Sequence, residues 1–139
     1  MTPSAKRYKL FALDTNSLIY YFKGLGRVAE HLRGTPPSEI AVPSIVIYEL
    51  EFGIAPSVRP EKRRQALNVV LETIQVLPFD EAAARAAAAV RWSLEQAGRP
   101  IGPLDTLIAG TAMAHSAILV TRNTREFARV RGLTVVDWF

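Results

Sequence analysis

The chain has 139 residues, 49% of them hydrophobic and 22% charged, a size and balance that fit a single globular domain with a full core and argue against disorder. It has no cysteine, which excludes a disulfide framework, a thiolate nucleophile and a thiolate metal centre, and no apolar run approaches the length of a membrane span, so a cytoplasmic protein is expected. The formal charge of +4 favours a polyanionic partner without establishing one.

Residues 1–8 carry basic side chains but no long apolar core, and read as a flexible start rather than a signal peptide. Lys9-Leu10-Phe11-Ala12-Leu13 is then an apolar run of strand length, of the kind buried on both faces of a parallel sheet. It ends at Asp14-Thr15-Asn16. Asp14 falls at the rim of such a sheet, where ligands bind, and also fits the N-cap of the next helix. That helix is expected over 17–22, broken at Gly24, with another over 26–33 stopping before Pro36-Pro37. Residues 39–43 read as a short strand that Pro43 cannot continue. Ser44 reads as the N-cap of a helix over 44–54. Pro60 suits the first position of a further helix, with Leu67, Val70, Leu71 and Ile74 at amphipathic spacing. A strand over 75–79 leads to Asp80, the cap of an alanine-rich helix over 81–97 closed by Gly98. Pro103 opens a helix over 103–115, followed by a buried strand over 117–121, a helical turn or two over 125–129 and a last strand over 133–136. Strand-helix alternation of this kind predicts one α/β domain with a largely parallel sheet and right-handed crossovers.

Three carboxylates stand out. Asp14 ends the first strand. Glu49 falls on the wheel of its helix between Ile45 and Phe52, on the side expected to pack, whereas Glu51 points elsewhere. Asp105 lies in the first turn of the helix that Pro103 opens. Singly, each has a plain structural use: a cap, an arginine partner, a complement to the helix dipole. Together they are expected on one edge of the sheet, where they would repel one another unless a cation sat between them. Hard ions such as Mg²⁺ or Mn²⁺ take oxygen ligands and suit phosphodiester hydrolysis, where metal ions activate water and neutralise the leaving oxygen.

Leu13-Asp14-Thr15-Asn16, Tyr48-Glu49-Leu50 with Gly53, Leu104-Asp105-Thr106-Leu107-Ile108-Ala109, and Leu119-Val120-Thr121-Arg122-Asn123 with Phe127 together resemble the PIN-domain ribonucleases, in particular the VapC toxins of prokaryotic toxin–antitoxin pairs. The resemblance runs from Leu10 to Val136-Asp137-Trp138-Phe139. It implies a three-layer α/β/α sandwich with a mostly parallel five-stranded sheet. It also implies a Mg²⁺- or Mn²⁺-dependent endoribonuclease whose metal-binding catalytic carboxylates are Asp14, Glu49 and Asp105. The expected substrate is tRNA or another structured RNA, and the expected partners are a VapB-type antitoxin and a second copy of the chain, in a homodimer or a larger assembly.

One departure stands in the pattern. Many relatives carry a fourth acidic residue where this chain has Asn123, which offers an amide but no charge. Glu126 is near enough in sequence to stand in for it. Thr15, Asn16, Ser44 and Thr121 are candidates for orienting the ligands, with turn and cap roles open to each. Of the basic groups (Lys6-Arg7-Lys9, Lys62-Arg63-Arg64, and Arg122 with Arg125, Arg129 and Arg131), the last neighbours the expected site, and Arg122 and Arg125 are candidates for RNA-phosphate contact. His31, His115, Trp92 and Trp138 are expected to pack. The alanine run over 82–89 could lie in a dimer interface or inside the monomer. Two other readings compete: a catalytically weak PIN domain that binds RNA or a protein partner, and a phosphotransfer enzyme with Asp14 as nucleophile. The latter lacks the usual second Asp two residues on, where Asn16 stands.

Overall fold

Five short strands, β1 (Phe11–Leu13), β2 (Ile40–Pro43), β3 (Gln75–Leu77), β4 (Ile118–Val120) and β5 (Val135–Val136), pair in the order β3-β2-β1-β4-β5 in a computed structural model that describes residues 9–139. All four pairings are parallel, with Ala12 level with Ala41 on one side and Leu119 on the other. The flexible start expected over 1–8, with Lys6 and Arg7, lies outside the described residues. Consecutive residues of the inner strands are all buried: Ala12 and Leu13, Ala41 and Val42, Leu119 and Val120. Because successive side chains point to opposite faces, the sheet is covered on both, which is the expected α/β/α layering.

The chain leaves β1 towards β2 and β3 on one side, then returns to lay β4 and β5 on the other. Strand order therefore reverses between β1 and β4, the point at which open α/β sheets form a crevice beyond the carboxyl ends of their strands. Asp14 stands there, its N–H donating to the Val120 carbonyl at 3.1 Å.

Local chemistry sets the helix ends. Asp14 caps α1 (Thr15–Lys23) by accepting from the Ser17 N–H at 2.9 Å, and Gly24 ends it at φ 67°. The helix starts two residues earlier than the apolar pattern suggests, because its first turn is polar. α2 (Val28–Arg33) follows, then a 3-10 turn over Pro37–Glu39. α3 (Ser44–Ile54) corrects one expectation: Pro43 takes the N-cap position, and the Ser44 hydroxyl accepts from the Phe79 N–H at 3.1 Å instead. Pro43 meets Leu77 in an interior strand, at its last residue, where the missing N–H breaks nothing further along. Pro60 opens α4 (Pro60–Leu71), Asp80 caps α5 (Glu81–Gln96) through the Ala83 N–H, and Pro103 opens α6 (Pro103–Ala114). α7 (Thr124–Phe127) is one turn that buries Phe127.

One face of the alanine run of α5 packs inside the chain, through Ala83 and Ala87, while Ala82, Ala84, Ala88 and Ala89 are exposed. Ala83, Ala87, Val90 and Leu94 form its buried face, and Gly110 of α6 comes so close that a Cβ there would lie 2.5 Å from the backbone of Ala87. Trp138 is buried, stacked on His31 with ring centroids 5.1 Å apart, but Trp92 is 68% exposed and does not pack as expected. Phe52 is likewise 76% exposed: the packed stripe of α3 is Val46, Leu50 and Ile54, and Glu49 sits on its half-buried flank. Among the described residues no helix is long and apolar enough to cross a membrane.

Candidate active site

Four elements deliver a carboxylate to the crevice. Asp14 arrives from the end of β1, Glu49 from the second turn of α3, Asp105 from the first turn of α6 and Glu126 from α7. They meet electrostatically at Asp105, whose carboxyl is pushed up to about 6 by burial first, and then by the charges of Glu49, Asp14 and Glu126. Asp14 is almost wholly buried, and that burial raises its pKa above the usual carboxylate range. The hydroxyls of Thr121 and Ser17 and the Ser17 N–H pull the other way, while the charge of Asp137 adds to the rise.

Three of the four carboxylates have a hydrogen-bonded holder, and among the described residues Asp105 has none. The Thr15 hydroxyl donates to Glu49 at 2.8 Å, across 34 positions of sequence. The Asn123 amide donates to Glu126 at 2.9 Å, while the Asn123 N–H donates to the Thr121 hydroxyl at 3.0 Å. The Asn123 side chain thus engages Glu126, whose charge is near enough to act on Asp105. Two expected helpers are not gathered in. Asn16 is exposed on the first turn of α1 without a side-chain hydrogen bond among the described residues, and the Ser44 hydroxyl is taken by Phe79. Arg122 and Arg125 are exposed beside the site, and neither forms an ion pair among the described residues. Asp137 was not legible as a neighbour of Asp14. Its only sequence signal is its place just past the last strand, which means nothing until β5 is known to lie beside β4.

The donor set fits a hard divalent ion. Every group is an oxygen, no lysine or arginine among the described residues pairs with any of the four, and the repulsion felt by Asp105 is what a cation would relieve. In the present side-chain arrangement no three of them, among the described residues, converge on one ion, since Glu49 and Glu126 are turned towards Thr15 and Asn123. These are single hydrogen bonds on flexible glutamates, which side-chain rotation can exchange for a metal.

The rise at Asp105 has a stability consequence. Its folded value of about 6 lies above the ordinary 3.8, so the folded metal-free protein holds a proton that the unfolded chain has released in that interval. Stability from this group is lost as pH rises through the window and stays lost above it. Thermal melts in EDTA should show Asp105→Asn gaining on the parent as pH rises from about 4 to 6, then holding a constant lead. A lead that shrinks as pH rises would overturn the assignment.

A groove of about 630 Å³ opens beside Glu49 between α1, α3 and α4. Ile19, Leu50 and Ile54 supply apolar lining, and Lys23, Arg59 and Lys62 supply cations.

Comparison with known proteins places this geometry among relatives. Residues 11–133 match the PIN domain family. The chain is 37% identical over 128 residues to the tRNA(fMet)-specific endonuclease VapC of Shigella flexneri, covering 92% of this chain and 97% of that one. Among solved structures, the DNA-bound VapBC of Salmonella typhimurium superposes with a TM-score of 0.88 at 32% identity, covering 94% of this chain and 99% of the other. VapBC2 of Rickettsia felis, bound to a DNA fragment from its promoter, gives a TM-score of 0.87 at 32% identity with the same coverage.

Proposed function

The chain belongs to the PIN-domain family, and on that premise we propose that it is a metal-dependent endoribonuclease of the VapC type, the toxin of a toxin–antitoxin pair. One observation carries the reading: four carboxylates from four separate elements crowd one crevice at the strand-order switch, and no cation among the described residues pairs with them. Such crowding costs stability and has no structural use, which is the mark of a functional site.

Asp14, Glu49 and Asp105 would hold the ion, with Glu126 as the fourth acidic group. An ion of the Mg²⁺ or Mn²⁺ class, when bound there, supplies activation of water and neutralisation of charge on the leaving oxygen. Thr15 orients Glu49, Thr121 and Ser17 orient Asp14, and Asn123 orients Glu126. The substrate is RNA, and the tRNA(fMet) specificity of the Shigella relative makes tRNA the first class to try. A VapB-type antitoxin is the partner, since the solved relatives are toxin–antitoxin complexes, and the basic-rimmed groove beside Glu49 suits it. A homodimer is part of the same proposal.

The test is cleavage of total cellular RNA by antitoxin-free protein with Mg²⁺, with Mn²⁺ and with EDTA. Discrete fragments that vanish with EDTA, and again when the cognate antitoxin is added, are the expected result. The neutral Asn123 motivates the second reading, a PIN domain that binds RNA without cutting it. Binding with no cleavage in either metal would select that reading and overturn the first.

A further inference from the structure

Arg122 lies between two residues that serve the carboxylates: Thr121, whose hydroxyl stands beside Asp14, and Asn123, which holds Glu126. A long cation so close to an acidic cluster would be expected to fold onto it. It does not. Its guanidinium carbon sits 3.5 Å from the centroid of the Phe139 ring and 5.7 Å from that of Tyr20, and among the described residues it makes no ion pair. A guanidinium stacked on a ring has one face covered, but its N–H donors point outward in the plane of the group, the edge that binds phosphate oxygens in pairs.

The ring that holds it is itself held. The Arg27 N–H donates to the Phe139 carbonyl at 2.6 Å, the Phe139 N–H donates to Asp137 at 2.8 Å, and Tyr20 packs on Phe139 edge-on at 5.0 Å between centroids. Gly26, at φ 62°, passes so near that a Cβ there would lie 2.6 Å from the Phe139 carbonyl oxygen and 2.7 Å from its ring. Several independent contacts thus fix one exposed arginine beside the site and away from its anions.

We propose that Phe139, backed by Tyr20 and Gly26, is a positioning residue that presents Arg122 to an RNA phosphate at the carboxylate site. This rests on the ribonuclease reading, with Arg122 touching the substrate and Phe139 acting through it.

The test is binding of bulk bacterial tRNA in EDTA by full-length protein carrying Asp105→Asn, so that nothing is cut, measured as a function of salt. Arg122→Ala should weaken binding about tenfold and lower the salt slope by slightly less than one. Phe139→Leu should weaken it roughly threefold or more, Phe139→Tyr should restore it, and Phe139→Leu should add nothing once Arg122 is Ala. Gly26→Ala, which displaces the ring from the other side, repeats the comparison should Phe139→Leu fold poorly. A Phe139→Leu loss that persists in the Arg122→Ala background, or that Tyr does not restore, overturns the proposal in favour of a structural role. Absence of tRNA binding by the parent overturns it too. Binding that follows this pattern without metal-dependent cleavage by the native chain leaves it standing and removes the nuclease reading alone.

Discussion

Asp105→Asn is expected to reduce RNA cleavage by at least about 100-fold while raising the melting temperature of the metal-free protein. Both effects come from one charge. Asparagine keeps the shape of the side chain but removes one of the carboxylates proposed to hold the ion, so the loss falls on catalysis rather than on the fold. The same charge faces Glu49, Asp14 and Glu126 across a half-buried crevice, and its removal relieves all three repulsions. Allowing for the solvent that still reaches the group, the gain is about 1 kcal/mol, or ~4 °C for a chain of this size. Glu51→Gln is the control. Glu51 is on the same helix as Glu49 but pairs with Arg64 at 3.0 Å on a partly exposed face, so its loss should leave cleavage intact and change stability by under about 1 kcal/mol. Cleavage near the native rate in Asp105→Asn would sink the metal-site assignment, whatever the melting temperature did.

How much of the fold and the site the sequence carries depends on the range of the interaction concerned. The caps at Asp14 and Asp80, the proline starts at Pro60 and Pro103 and the glycine stops at Gly24 and Gly98 are decided within four residues, and they stand as expected. Asp14 and Asp105 are legible because one ends a strand and the other begins a helix on the edge that a parallel sheet makes common, and Glu49 because the wheel of its helix separates it from Glu51. Ser44 was misread because its hydroxyl answers a backbone N–H 35 residues away, which overrides its preference for capping. The wheel sets Phe52 on the expected packing side of its helix, and Trp92 is expected to pack as an aromatic, yet the packed stripes of α3 and α5 run through Val46-Leu50-Ile54 and Ala83-Ala87-Val90-Leu94. An exposed aromatic is no violation of burial rules, which run in one direction only. The charge of Asp137 on Asp14 and the ring of Phe139 under Arg122 depend on strand order and on a close approach at Gly26, and no local pattern encodes either.

Two glycines inside helices, Gly110 of α6 and Gly53 of α3, make opposite predictions for the same substitution. Nothing lies within 4 Å of a Cβ built at Gly53, so Gly53→Ala should stabilise the protein by up to about 1 kcal/mol through helix propensity alone. At Gly110 the added carbon would sit 2.5 Å from the N, Cα and Cβ of Ala87, and two of those atoms are backbone. The helices must part, and overpacking of this kind costs about 3 kcal/mol, or ~10 °C in melting temperature. Because α6 also carries Asp105, the displacement should lower cleavage even below the melting transition. The sharper test is the double variant with Ala87→Gly. Removing the Ala87 Cβ takes away one of three clashes and leaves the backbone ones, so it should not rescue Gly110→Ala. Full rescue would mean that the contact is side chain against side chain and that α5 and α6 can part freely, and the close backbone approach would then not be what seats Asp105.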